Sequence, residues 1–367
     1  MRVVICGGGV IGACTAYFLS LHGADVTVVE RTGVASASSG KAGAFLALDW
    51  CRGTPVDALA RRSFALHARL AEELDDDWGY QRVTTYGAYA SPGASGGSRR
   101  ASTRPADDWL SERVTRTGLL GTPETTATVH PRLFTEAMIR AAQSRGARLL
   151  SAEVTGLVYT TDRSTVRGVE VDGGPAIEAD AVVLAMGPWS IRAAGWLPLP
   201  AIEPYKGHSL VFETGASVPP EAVFFEYQGP DGRVLTPELF PRADGTTYVA
   251  MSSIQDQLPP DAAQVKTDAV AVAVLEAVCE RLSPALSRDR IIARQACYRP
   301  TTRDGLPLIG AVPGVAGAYV ATGHSVWGVL NGPATGEALS ELIVDSVARS
   351  TDLSPFNPGR LRPFAPR

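Results

Sequence analysis

Apolar and polar positions follow two periods along this chain, and the first thirty residues show both. Residues 2–6 are apolar and β-branched after Arg2, the pattern of a strand buried on both faces. Residues 13–22 carry apolar side chains at helical spacing and stop at Gly23. Residues 25–30 repeat the buried-strand pattern. Strand, helix and strand in this order predict a βαβ unit with parallel strands.

Further along, residues 56–78 set Leu59, Phe64, Leu66, Leu70 and Leu74 on one helical stripe, and residues 131–146 do the same with Leu133, Phe134, Met138 and Ile139. Strands are expected over 148–159, 167–171 and 177–184. From 201 to 253 the pattern turns to short strands at 209–213, 222–227 and 247–252. A helix over 267–282, strands over 291–298 and 318–321, and a closing helix over 333–347 complete the reading. Residues 91–107, rich in Gly, Ser and Arg, read as a surface loop that could act as a lid or opening. No internal repeat is found. The sheet-rich block interrupts the parallel-strand pattern, so the expected fold is α/β (α+β overall), a Rossmann-like domain with an inserted, mainly antiparallel-sheet domain. The expected division assigns 1–85, 130–200 and 290–367 to the first domain, and 86–129 with 201–289 to the second.

Composition narrows the function. The chain has 367 residues, 45% hydrophobic and 20% charged, with a formal net charge of −4 and no basic run, so nucleic acid is not an expected partner. Five cysteines (Cys6, Cys14, Cys51, Cys279, Cys297) form no Cys-x-x-Cys pair, and the five histidines are scattered, so neither a disulfide framework nor a metal site is expected. No apolar run approaches the ~20 residues of a membrane span. A strand at the very start leaves no room for a signal peptide, which makes the cytoplasm the expected compartment.

The chemistry starts at Gly7-x-Gly9-x-x-Gly12, between strand and helix. The first glycine permits a tight turn, the second a close approach of backbone to pyrophosphate, and the third close packing of helix on strand. Val10 and Ile11 lie in the turn that leads into a helix whose free N–H groups favour phosphate. Glu30, 18 residues after Gly12, ends the second strand, where a carboxylate can bind a ribose diol and repel a 2′-phosphate. Arg31 follows it. The tract 36–43 supplies Ser38, Ser39, Gly40, Lys41, Ala42 and Gly43, small and hydroxyl-bearing residues suited to phosphate and a flavin ring. Val154, Ala185, Gly187 and Trp189 belong to strands and a turn that close the same site. The tract 323–336, with Gly323, His324, Trp327, Gly328, Val329 and Leu330, sets glycines before another helix N-terminus, which suits a flavin carbonyl gaining negative charge. These tracts point to FAD rather than NAD, and no second glycine triplet provides for a nicotinamide cofactor.

Residues 40–51, 297–310 and 323–336 together resemble the D-amino-acid oxidase superfamily, which includes glycine oxidase and sarcosine oxidase. The resemblance spans nearly the whole chain. It implies FAD-dependent hydride removal from the carbon beside the amine of an amino acid or secondary amine, giving an imine. Oxygen, yielding hydrogen peroxide, or another external acceptor would reoxidise the flavin. Arg299 matches the arginine that grips the substrate carboxylate, with pairing to a structural acid such as Asp304 as the alternative. Cys297 aligns with the cysteine that bonds to flavin in monomeric sarcosine oxidase, and Asp304 matches as well; a small buried cysteine beside non-covalent FAD is the competing reading. Cys51 is a second, weaker candidate.

Lys206 resembles the basic residue at which the central domain re-enters the flavin face and is a candidate for oxygen reactivity or anion binding, with a plain surface position as the equal alternative. His324 is a candidate for acid–base work. Phe225 and Tyr227 are candidates for lining the substrate pocket, with a place in the core as the favoured competing reading, and Trp50 and Trp327 for stacking or simple packing. Two other functions stay open: a tailoring enzyme that oxidises a larger intermediate, and a flavoprotein module without turnover. Oligomeric state is not legible.

Overall fold

The computed structural model describes residues 1–91 and 108–365. The loop expected over 91–107 therefore lies outside the described residues except for Ser91. The helices are α1 (Val10–Leu21), α2 (Ser38–Lys41), α3 (Asp57–Glu73), α4 (Pro131–Gln143), α5 (Ala269–Leu282) and α6 (Gly328–Asp345). None among the described residues is long and apolar enough to cross a membrane.

A six-stranded sheet runs Leu308–Ala311, Ala318–Thr322, Ala181–Leu184, Arg2–Cys6, Asp25–Glu30, Arg148–Ser151. All neighbours pair in parallel except the edge strand Leu308–Ala311, which is antiparallel. The strands alternate between two cores. Val3, Ile5, Val26 and Val28 face α1, α3, α4 and α6, while Val4, Cys6 and Val29 face a small sheet built from Val154–Tyr159, Val166–Val171 and Ile177–Glu178. Cover on both faces explains why these segments read as continuous apolar runs.

A second, nine-stranded sheet includes Glu203–Glu213, Thr246–Ala250, Glu238–Pro241, Glu221–Gln228, Thr84–Ala90 and Val114–Gly121. Its pairs are antiparallel apart from Glu221–Gln228 beside Thr84–Ala90. One face packs on α5; the other carries Phe240, Tyr248 and Ala250 toward Phe45 and the first sheet.

Several boundaries differ from the sequence reading. The segment 148–159 breaks after Ser151, where the chain leaves the main sheet for the small one; 177–184 breaks for the same reason after Glu178. The strand Ile291–Thr301 pairs along most of its length with Glu203–Glu213, so the chain leaves the second sheet at Thr301 instead of 290. Thr84 and Thr85 likewise pair with Glu221 and Ala222 in the second sheet.

The closing helix also starts five residues early and holds Pro333 in its interior. A proline there lacks the N–H that would meet the Val329 carbonyl. Helix α3 replaces that donor: His67 Nε2 lies 2.9 Å from Val329 O. Ser63 Oγ accepts the Ala334 N–H at 3.0 Å. Tertiary contacts thus offset a local penalty that sequence pattern alone would assign to a helix boundary.

Candidate functional site

A cavity of about 580 Å³ lies where the carboxyl ends of the parallel strands meet the second sheet. At one end stands the glycine turn. Gly7 adopts φ +113°, and a Cβ there would fall 2.5 Å from Ala185 O. At Gly12 a Cβ would fall 2.1 Å from Gly7 O, so this third glycine sits behind the cavity and lets α1 close on the strand. Gly7, Gly9, Val10 and Ile11 line the wall. The Val10 N–H donates to Ser39 Oγ at 2.9 Å.

Glu30 borders this end, and its carboxylate accepts from the backbone N–H groups of Gly8 (2.7 Å), Thr32 (2.7 Å) and Gly33 (3.1 Å). Those bonds fix the orientation of the acid. Arg31 also borders the cavity, but its guanidinium is held by Glu153 at 2.8 Å and Asp261 at 3.1 Å. The residues present therefore fit a dinucleotide: a cradle that any Cβ would fill, a helix N-terminus for phosphate, and a fixed carboxylate for a ribose.

The middle of the cavity is walled by backbone. Ala35, Ala44 and Ser325 adopt φ of +56°, +57° and +49°, conformations that non-glycine residues rarely take, and all three line it. Such strain concentrates at ligand sites. Ser38, Ser39, Ala42 and Gly43 face the cavity, whereas Gly40 and Lys41 do not. Gly40 is needed for packing, since a Cβ there would lie 2.0 Å from Ala35 O. Burial lowers the proton affinity of Lys41, and nearby Cys297 opposes the shift.

Val154, Ala185, Gly187 and Trp189 complete this wall, and the Trp189 indole donates to Pro259 O at 2.9 Å. From the tract 323–336, His324, Trp327, Gly328 and Val329 line the cavity, while Gly323 and Leu330 sit behind. The free N–H groups of the first turn of α6 thus border it, with the positive end of the helix dipole. His324 is buried, its Nε2 3.0 Å from Thr335 Oγ1 and its Nδ1 without a partner among the described residues. Burial pushes its pKa down to about 3, which favours the neutral ring at physiological pH.

The far end is aromatic with two charges. Phe45, Trp50, Phe224 and Phe240 cluster with ring centroids 4.7–5.4 Å apart. Arg299 lines this end, and its Nη1 donates to Ser253 Oγ at 3.3 Å. Among the described residues it forms no ion pair. Asp304, its alternative partner, is taken by Arg360 at 2.8 Å and 3.1 Å. Glu238 lines the same end; burial raises its carboxyl pKa and Arg299 partly counters the rise. Cys297 is in the wall, opposite Gly207 in the strand register, and burial pushes its thiol up, which keeps it protonated. Cys51 is buried outside the cavity lining.

Three expected residues stand elsewhere. Lys206 lies outside the cavity wall and pairs with Asp256 at 3.1 Å. Phe225 and Tyr227 are buried in the core beneath α5. The reason is the two-residue period of the strand: its neighbour Phe224 points to the opposite face and into the cavity. The pocket-lining candidacy of Phe225 and Tyr227 therefore fails, and the competing core reading holds. The sequence reading also missed Glu238, Phe240 and Tyr248. The alternating Glu-Leu-Phe-Pro of 238–241 was the available signal, since Leu239 is core and Glu238 and Phe240 share the other face.

Comparison with known proteins accords with this geometry. A Schizosaccharomyces pombe protein, C1F5.03c, which carries only the general name of an oxidoreductase, is 30% identical over 97% of each chain. Glycine oxidase of Pseudomonas aeruginosa is 30% identical over 93% of this chain and 94% of that one. The crystal structure of glycine oxidase from Geobacillus kaustophilus shares the fold, with a TM-score of 0.80 at 24% identity over 97% of this chain and 98% of that one. The family model described as DAO, FAD dependent oxidoreductase, matches residues 2–342. This chain belongs to that family and is an FAD-dependent oxidoreductase.

Proposed function

We propose that this enzyme oxidises the carbon beside the amine of an amino acid or small secondary amine, releasing an imine that water hydrolyses. FAD, when bound, supplies the two-electron acceptor, and oxygen or another external acceptor regenerates it. The observation that carries the reading is Arg299, a guanidinium in an aromatic cavity wall with no carboxylate of its own. A planar fork of donors in that setting suits a substrate carboxylate.

The protein's work is then positional. Arg299 holds the carboxylate, the aromatic cluster excludes water, and the α-carbon is set against the cofactor. Hydride removal needs the nitrogen neutral, so an amine that arrives as ammonium gives up that proton to solvent or to a carboxylate in the cavity before the carbon is oxidised. The glycine oxidase relatives support the substrate class. In this reading residues 1–85, 130–200 and 290–367 serve the cofactor, while 86–129 and 201–289 shape the substrate pocket, with the strand Ile291–Thr301 joining the two. Anaerobic addition of amino acids and secondary amines to the purified yellow protein tests it: a substrate bleaches the flavin, and Arg299→Ala weakens that substrate's binding.

A further inference from the structure

Two opposite charges face one desolvated pocket without neutralising each other. Glu238 sits on a strand whose next inward residue is Phe240; no hydrogen bond or ion pair of its carboxylate is found among the described residues. Arg299 is near enough to hold down the proton affinity of that carboxylate, yet its own bond goes to Ser253. Around them stand Phe45, Trp50 and Phe224, which offer no competing acceptor. Isolated charges in apolar surroundings are costly and are kept where a ligand completes them. An uncharged or singly charged ligand would leave one of the two uncompensated.

We propose that Glu238 and Arg299 are the two poles of the substrate subsite, so that the preferred substrate is a small zwitterion whose cationic nitrogen meets Glu238 while its carboxylate meets Arg299. This assignment rests on the amine-oxidation reading and adds its specificity determinant. A neutral amide at position 238 would still accept a hydrogen bond but would not attract a cation. The predicted loss is therefore electrostatic and confined to ligands that carry a positive charge.

The test uses purified holoenzyme and three ligands of nearly equal shape that cannot be oxidised at an α-hydrogen. 2-Aminoisobutyrate carries both charges, pivalate only the negative one, and tert-butylamine only the positive one. Binding is read from perturbation of the flavin visible spectrum. The wild type should bind 2-aminoisobutyrate more tightly than pivalate. Glu238→Gln should weaken 2-aminoisobutyrate about tenfold or more, while pivalate stays within about twofold. Arg299→Ala should weaken both carboxylates and spare tert-butylamine.

Equal loss of 2-aminoisobutyrate and pivalate in Glu238→Gln overturns the role of Glu238 and leaves the amine-oxidation reading standing. No binding of any of the three by the wild type, together with no bleaching by any amino acid or amine, overturns both. If Glu238→Gln does not retain flavin, competition in the wild type decides: displacement of 2-aminoisobutyrate by tert-butylamine supports the proposal, and its absence overturns it.

Discussion

Arg299 and Asp304 are separated by four residues, yet their charges serve different ends of the molecule. Asp304 is anchored by Arg360, with Thr302 and the Leu306 N–H adding bonds that hold its pKa near about 2. Arg299 is left facing the cavity. Removing it should raise KM for a carboxylate-bearing substrate by about 30- to 150-fold, the equivalent of roughly 2–3 kcal/mol for a charge-assisted pair. Arg299→Lys should lose about tenfold, because charge survives and the fork does not. Unchanged KM in both variants would remove Arg299 from the substrate site.

Cys297 lies half-buried in the wall with its thiol pKa raised by desolvation, and a thiolate is the reactive form. Precipitating the protein in acid should therefore release the yellow colour to the supernatant. Colour retained on the chain would mean a covalent flavin and make Cys297 the first residue to replace.

At the scale of elements, α3 and α6 form the support for one end of the site. Arg62 grips Glu337 with bonds of 2.7 and 2.6 Å, and His67 supplies the donor that Pro333 denies to Val329, a wall residue. Burial lowers the pKa of His67 to about 4, against an ordinary value near 6.5. The sign follows from proton uptake: below about pH 6.5 the unfolded chain binds a proton that the folded chain refuses until about pH 4. Stability is therefore full above that window and falls as pH drops through it. Thermal denaturation across pH should show this fall, and His67→Gln, which keeps a donor without titrating, should make it shallower. His67→Phe leaves the Val329 carbonyl unmet and should cost about 1–3 kcal/mol at neutral pH. An identical pH slope in wild type and His67→Gln would contradict the assignment.

The glycine turn was legible in the sequence because its spacing has a steric cause. Gly12→Ala would drive a methyl into Gly7 O at 2.1 Å, so this variant should be purified with little or no flavin. Normal flavin content would show that the turn can yield. The wall positions of Arg299 and of residues in 323–336 were also legible, the first through the family resemblance and the others through glycines set before a helix N-terminus. The start of α6 was not, because the donor that rescues Pro333 comes from a residue 266 positions away in the chain. Whether Phe225 and Tyr227 line the pocket or the core was not legible, because the strand alternates faces and pattern alone does not say which face meets the cavity. Glu238 escaped notice because the alternation of 238–241 sets it on one face with Phe240 without saying which face lines the cavity.

At the scale of the whole molecule, a parallel sheet and a largely antiparallel sheet meet along one cavity, and the strand Ile291–Thr301 carries Cys297 and Arg299 from the second sheet into its wall. The first sheet provides the glycine turn and Glu30; the second provides Phe224, Phe240 and both charges. In the proposed reading, cofactor and substrate are held by separate layers, so that pocket chemistry can vary while the cofactor cradle stays fixed.

The most direct measurement is the visible spectrum of the purified protein under anaerobic conditions as small amino acids and secondary amines are added one at a time. The account predicts a flavin spectrum that bleaches with at least one of these substrates and returns when an electron acceptor is admitted. A flavin that dithionite reduces but that none of the amines or amino acids bleaches would contradict it.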